Sequence, residues 1–256
     1  MTTTTELFRL NKFISDTGFC SRREADKLIE SGQVKVNGQL ALVGTKVAAT
    51  DNVEVAGKPL KNKPRRVYLA YHKPVGITCT TELHIKGNIV DAVKYPERIF
   101  PIGRLDKESE GLIFLTNDGD IVNKILRAGN AHDKEYVVTV DKPIHEHFIR
   151  KMSAGVPILE TVTLPCQVTQ KSRHTFNIVL RQGLNRQIRR MTEYLGFNVT
   201  KLKRVRIMNV RLVGLAAGQW RELTAAEMTE LETMLLSSSK TEEASRLTAQ
   251  QLPDED

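Results

Sequence analysis

The chain has 256 residues, 40% hydrophobic and 27% charged, a balance that suits one or two folded domains and excludes a wholly disordered chain. Its 38 lysines and arginines against 30 acids leave a formal charge of +8, so a polyanion is the first partner to consider. No apolar run approaches the roughly 18 residues that span a bilayer, Met1–Leu10 lacks a signal peptide's apolar stretch, and Cys20, Cys79 and Cys166 are too far apart for a disulfide framework or a cysteine-built zinc site. These features lead us to expect a cytoplasmic protein.

Arg9 to Ile14 begins a helix with Leu10, Phe13 and Ile14 at helical spacing, and Asp16-Thr-Gly18 stops it. Ser21 with Glu24 three residues on predicts a capping box, and Ala25, Leu28 and Ile29 form the next apolar stripe, ended by Gly32. Gln33–Val36 alternates as a strand, Asn37-Gly38 signals a hairpin turn with a return over Leu40–Val43, and Val53–Val55 is a further short strand. Two helices and a hairpin would leave Lys12, Arg22, Arg23 and Lys27 on one exposed face able to follow an RNA backbone. Arg9-Leu-Asn-Lys12, Cys20-Ser-Arg-Arg-Glu-Ala25 and Val34-Lys-Val-Asn-Gly38, in that order, resemble the S4 RNA-binding domain.

The basic stretch Lys58–Arg66, with Pro59 and Pro64, reads as a semi-extended boundary free to touch phosphates. We place an S4-like domain at 7–60, a linker at 61–66, a larger domain at 67–235 and a disordered acidic tail at 236–256. In the larger domain Val67–Tyr71 reads as a strand, His72–Gly76 as a turn, and Asn88–Val93 as a helical turn. Leu112–Thr116 is a buried strand, and Asn117–Asp120 caps a helix running to Gly129. Further on come a strand at Lys134–Val140, a helix at Ile144–Met152 and a strand at Phe176–Leu180. Gly183–Met191 opens a helix with Ile188 and Met191 buried and an anion-friendly start, and Lys201–Val210 alternates apolar and basic residues like a half-buried strand. The stretch 181–211 holds nine basic side chains against one acid, Glu193.

Asp106 sits on a polar loop between apolar segments, a place that can hold a catalytic group but by position alone favours a turn cap or a surface pair with arginine. Tyr136, by its strand position, is ordinary core filling. Phe100-Pro-Ile-Gly-Arg-Leu-Asp-Lys-Glu-Ser-Glu-Gly-Leu112, followed by Leu115-Thr-Asn-Asp-Gly119, Lys134-Glu-Tyr136 and Asn185-Arg-Gln-Ile-Arg-Arg-Met191, closely resembles the signature of RNA pseudouridine synthases of the RsuA branch. The resemblance implies an α+β protein: a small S4 domain and a mixed α/β catalytic domain around an antiparallel sheet.

It also implies roles. Asp106 is the catalytic carboxylate, acting on ribose or base. An arginine pairs with it and keeps it ionised, Arg189 being favoured among several. Tyr136 packs on the target uracil and is a candidate for taking the C5 proton. Arg104, Leu105, Lys107, Arg186, Gln187, Ile188 and Arg190 hold RNA. Within the branch, Ile125-Leu-Arg-Ala-Gly-Asn130, Gly155-Val-Pro-Ile158 and Gly183-Leu-Asn-Arg-Gln187 resemble members that act on 23S ribosomal RNA and on a tyrosine tRNA. Uridine and pseudouridine are isomers, so no cofactor or metal is called for, and a monomer is expected. His145-x-His147 lacks zinc-pair spacing, and Cys79 and Cys166 read as buried hydrophobes. The competing class is a non-catalytic RNA-binding ribosome-assembly factor, which would use the same basic face.

Overall fold

The computed structural model describes residues 6–126 and 132–236; the expected tail, apart from Leu236, and the end of the helix before Gly129 lie outside these. The chain forms two compact units, one of residues up to Val67 with Pro96–Arg98 and Asn117–Gly119, the other of the remainder.

In the first unit β1 (Leu7–Arg9) leads into α1 (Leu10–Asp16), then α2 (Arg22–Glu30), β2 (Val34–Val36), β3 (Gln39–Leu40), β4 (Lys46–Ala48), β5 (Val53–Val55) and β6 (Lys58–Pro59). The Ser21–Glu24 capping box closes reciprocally, Glu24 N–H to Ser21 Oγ at 3.2 Å and Ser21 N–H to Glu24 Oε2 at 2.7 Å. Such a cap stabilises a helix this short by about 1 kcal/mol. Asn37 and Gly38 both have positive φ, the backbone that a two-residue hairpin between right-twisted strands demands. Leu10, Ile14, Ala25 and Ile29 meet Val34, Val47, Val53 and Val55 in one core.

Three expectations change here. The hairpin return is only two residues long, and the strands form two sheets, β3-β2-β5-β6 and β1-β4. Lys58–Pro59, read as the head of a semi-extended boundary, is an edge strand on β5. The linker is not free either: Lys63 lies over the Phe8 and Phe13 rings at 5.3 and 5.6 Å and reaches Asp16 at 3.3 Å. Arg22, Arg23 and Lys27 are exposed as expected, whereas Lys12 is half-buried and bonded to Asp16 at 2.8 Å.

The second unit runs β7 (Tyr68–Lys73), α3 (Ile89–Val93), β8 (Phe100–Ile102), β9 (Glu110–Thr116), α4 (Gly119–Leu126), β10 (Lys134–Val140), α5 (Glu146–Ala154), β11 (Pro157–Ile158), β12 (Thr161–Val162), β13 (Gln167–Gln170), β14 (Thr175–Leu180), α6 (Gln187–Tyr194), β15 (Val199–Ile207), β16 (Val210–Arg211), β17 (Trp220–Glu222) and α7 (Ala225–Leu235). Its main sheet has the order β13-β14-β10-β15-β9-β7-β17, with β16 on β15 and β8 on β9. All its ladders are antiparallel except β15 with β9, which pairs Lys203 with Glu110 and Arg204 with Gly111.

Strand alternation builds the cores. Val138, Val140, Phe176, Ile178 and Leu180 face α5 and α6, meeting Phe148, Met152, Ile188 and Met191. A second core gathers Leu112, Phe114, Ile121, Ile125, Ile207, Leu231 and Leu235. Burying a side chain such as Phe148 stabilises the fold by about 2–3 kcal/mol. His145 and His147 are exposed, and His145 caps α5 by accepting from Phe148 N–H at 3.1 Å. Among the described residues no helix is long and apolar enough to cross a membrane, and no His, Cys, Asp and Glu cluster suits a metal.

Candidate active site

The loop between β8 and β9 carries Asp106. Its backbone turns at once, Ser109 N–H donating to Asp106 O at 3.0 Å, so Asp106 occupies the first position of a tight turn, where Asp is favoured. A second loop, after β7, buttresses the turn: Gly76 N–H donates to Lys107 O at 2.7 Å and Leu105 N–H to Cys79 Sγ at 3.4 Å. That second loop is pinned by Lys73, fully buried, whose ammonium donates to the carbonyls of Pro74 and Ile77 at 2.9 and 2.8 Å. Burial pushes the Lys73 amine below its usual value, opposed by the charges of Cys79 and Asp106. The predicted turn at His72 therefore starts two residues late, because His72 and Lys73 complete β7 against Leu112 and Gly111.

Two arginines converge on the carboxylate. Arg189 Nε lies 3.6 Å and Arg186 Nη1 3.7 Å from Asp106 Oδ2. Arg189 is the better anchored: its side chain is 11% exposed against 38% for Arg186, and its Nη2 donates to the buried Ser109 hydroxyl at 3.1 Å. Arg186 is shared with Glu108, bonding both carboxylate oxygens at 3.0 and 3.3 Å, which lowers the Glu108 carboxyl and raises the guanidinium. The expectation of one arginine becomes two, with Glu108 competing for both.

Arg186 does not start α6 as a helical residue. It is the N-cap in left-handed conformation, φ 47°, and the helix begins at Gln187. Residues 187, 188, 191 and 192 then form the buried stripe, leaving Arg189 directed to Asp106. This corrects three expected RNA contacts. Gln187 is 5% exposed and accepts from Leu184 N–H, Ile188 is 5% exposed within the core, and Leu105 is 6% exposed beneath the loop. Arg190 is half-buried and donates to the Asn185 backbone and side chain, both at 3.2 Å. Arg104 and Lys107 are exposed, as RNA contacts need to be.

Tyr136 is half-buried against the α5–α6 core, and its ring lies 6.0 Å from the Arg204 guanidinium. Arg204 corrects the expected half-buried alternation of its strand: it is 4% exposed, its Nε donating to Leu112 O at 2.6 Å. A register shift between Glu135 and Tyr136 sets Tyr136 opposite Arg204. Gly111 admits the crossing, since a Cβ there would collide with the Arg204 backbone carbonyl. Two residues before Tyr136, burial and then the Arg204 charge push the Lys134 amine down to about 8. Cys79 and Cys166 are only half-buried; burial raises both thiols, Cys166 to about 11.

Sequence reasoning missed Lys73, Glu108, Ser109, Lys134 and Arg204 as parts of this neighbourhood. Pro74 directly after Lys73 and Gly111 directly after Glu110 were the available signals, both marking places where backbones approach closely.

Both units are similar to known protein families. Residues 67–194 match the RNA pseudouridylate synthase family model and residues 8–53 the S4 domain model. The chain is 58% identical over 235 residues to the dual-specificity RNA pseudouridine synthase RluF of Salmonella typhi, covering 90% of this chain and 81% of that protein. It is 37% identical over 236 residues to the ribosomal large subunit pseudouridine synthase B of Bacillus subtilis, covering 88% and 96%. A solved structure titled as a crystal structure of pseudouridylate synthase superposes with a TM-score of 0.65 at 28% identity, covering 88% of this chain and 99% of that one. The RsuA-branch resemblance and the α+β reading both hold, and the chain belongs to the RNA pseudouridine synthase family, with an S4 domain ahead of its catalytic domain.

Proposed function

We propose that this enzyme converts uridines of 23S ribosomal RNA, and a uridine in the anticodon of a tyrosine tRNA, to pseudouridine, working as a monomer in the cytoplasm. The observation that carries the reading is the carboxylate of Asp106 on a braced turn, with Arg186 and Arg189 both within 4 Å of one oxygen. A braced carboxylate can attack the ribose or act on the base without reorganising at the moment of reaction. The C1′–N1 bond breaks, the uracil turns, and C5 joins C1′ as its proton leaves, so atoms balance without cofactor or metal. Tyr136 stacks on the uracil and takes the C5 proton. Arg104 and Lys107 beside the turn, and Arg22, Arg23 and Lys27 on α2, hold phosphates.

Asp106→Asn tests the assignment. The amide keeps the shape and loses the nucleophile, so pseudouridine formation should vanish while RNA affinity stays within a few-fold. Turnover by Asp106→Asn would sink the assignment. An assembly factor would show no turnover in the wild type, and it has no use for a half-buried arginine held beside the Asp106 carboxylate.

A further inference from the structure

The cations behind the active-site turn do not balance. Lys73 and Arg204 are buried and Lys134 half-buried, and Arg204 acts electrostatically on both lysines. Among the described residues none of the three has a carboxylate within ion-pair distance. Asp106 and Glu108 act on Lys73, and Asp133 on Lys134, from further off. Keeping unpaired charge out of water is costly, and a hydrophobic side chain of similar volume would fill the position at less cost.

Part of Arg204 is plainly structural. The parallel ladder of β9 and β15 covers two residue pairs, and Arg204 Nε serves the Leu112 carbonyl just beyond it. That bond leaves Nη2 buried with no partner, and leaves a full positive charge 6.0 Å from the Tyr136 ring. Neither feature is needed to satisfy one carbonyl.

The reaction supplies a matching negative charge. When C1′–N1 breaks heterolytically the electron pair stays on N1, and the uracil becomes an anion delocalised over O2 and O4. Where Asp106 acts on the ribose, the base is an anion whether Asp106 has bonded to C1′ or removed a ribose proton. C5 then bonds to C1′, the C5 proton leaves to a base, and N1 gains a proton, so net charge is restored. A uracil stacked on Tyr136 spends its anionic lifetime over a ring whose centroid lies 6.0 Å from the Arg204 guanidinium.

We propose that Arg204 is a positioning residue for this isomerisation: its guanidinium orients the Tyr136 ring and supplies the positive field that stabilises uracil as a departing anion. The inference rests on the reaction proposed above. Preorganised charge aimed at where charge develops is typically worth a hundred- to thousandfold in rate.

The test uses the full chain, a hairpin RNA with one target uridine, and the same RNA carrying 4-thiouridine, whose base bears negative charge more readily. Single-turnover cleavage and RNA affinity are measured for wild type, Arg204→Lys and Arg204→Gln. Arg204→Gln should slow cleavage by about a hundredfold with affinity within about threefold, and Arg204→Lys should stay within about tenfold of wild type. The Gln deficit should shrink on the 4-thiouridine RNA, a change that a merely structural role would not produce. Equal deficits on both RNAs, or a folded Gln variant at the wild-type rate, would overturn the inference. If Arg204→Gln does not fold, Arg204→Lys decides alone: a folded Lys variant slowed a hundredfold overturns the idea, and one near wild type supports it. A wild type that binds RNA and makes no pseudouridine would overturn the reaction itself, an outcome visible before any variant is compared.

Discussion

Arg22-Arg23 on α2 and Arg189-Arg190 on α6 are the same dipeptide near the start of two short helices, and the two pairs live in opposite surroundings. On α2 both side chains are exposed, and among the described residues neither has an ion-pair partner. On α6 Arg189 is wedged between Asp106, Ser109 and the Val199 carbonyl, and Arg190 is bonded to Asn185. A solvated arginine can follow a phosphate wherever the RNA puts it. A half-buried one has its donors taken up by neighbours, and at Arg189 those bonds to Ser109 and Val199 hold the guanidinium beside the Asp106 carboxylate. Charge count alone, which weights the four equally, says nothing about this division of labour.

Lysine substitution should separate the two pairs most sharply. At Arg189 the planar fork serves several acceptors at once, so Arg189→Lys should cost at least about a hundredfold in turnover with RNA affinity little changed. Turnover near wild type would mean that Arg186 alone suffices to brace Asp106. At Arg22 and Arg23 a point charge is enough, so the double lysine variant should bind almost normally. The double glutamine variant should weaken binding and flatten the salt dependence by a slope of about 0.7–0.9 per lost contact, turnover at saturating RNA being unaffected. A salt titration that superposes on wild type would remove α2 from the RNA interface.

Tyr136 gives a graded outcome. If its hydroxyl takes the C5 proton, Tyr136→Phe and Tyr136→Leu should both stall after glycosidic cleavage, by a hundred- to ten-thousandfold in completion. If only the ring matters, Phe should keep most activity and Leu should lose a stack worth about 1–3 kcal/mol. Single-turnover conversion of one hairpin by both variants decides between these.

The smallest effect concerns Lys134, held at about 8 in the fold against an ordinary 10.5. Below pH 8 both folded and unfolded chains carry the proton, and the fold bears the whole penalty of an ill-solvated ammonium. Between 8 and 10.5 the folded chain has released the proton and the unfolded chain has not, so stability rises with pH across that window. Urea midpoints of wild type and Lys134→Met should therefore converge or cross as pH goes from 7.5 to 9.5, the wild type gaining. A constant difference would mean that Lys134 titrates alike in both states.

What could be read beforehand was local. Ser21 with Glu24, Asn37-Gly38 and the alternation of Phe176–Leu180 each announce their structure within a few residues, and the structure follows them. Asp106 was legible only as a residue on a polar loop; the choice of Arg189 among several arginines came from the family resemblance, and the structure sets Arg186 almost as near. Lys201-Leu-Lys-Arg-Val-Arg looked like basic residues facing water, but Arg204 turns inward because a strand 92 residues earlier offers it the Leu112 carbonyl. Ile188 was already legible as part of the buried stripe, but Gln187 looked like part of a basic RNA-binding run, whereas behind the left-handed Arg186 it joins that stripe. Both misreadings arise from partners that sequence proximity does not reveal.

The crossing of Gly111 with Arg204 also orders events in time. Closing it joins segments about ninety residues apart, and such a closure must forfeit chain entropy before its contacts can reward it. Local units such as the capped α2 helix and the Asn37-Gly38 hairpin can assemble earlier in folding. The Arg204 contact with Leu112 therefore costs more loop entropy to close than the three-residue span of the α2 capping box.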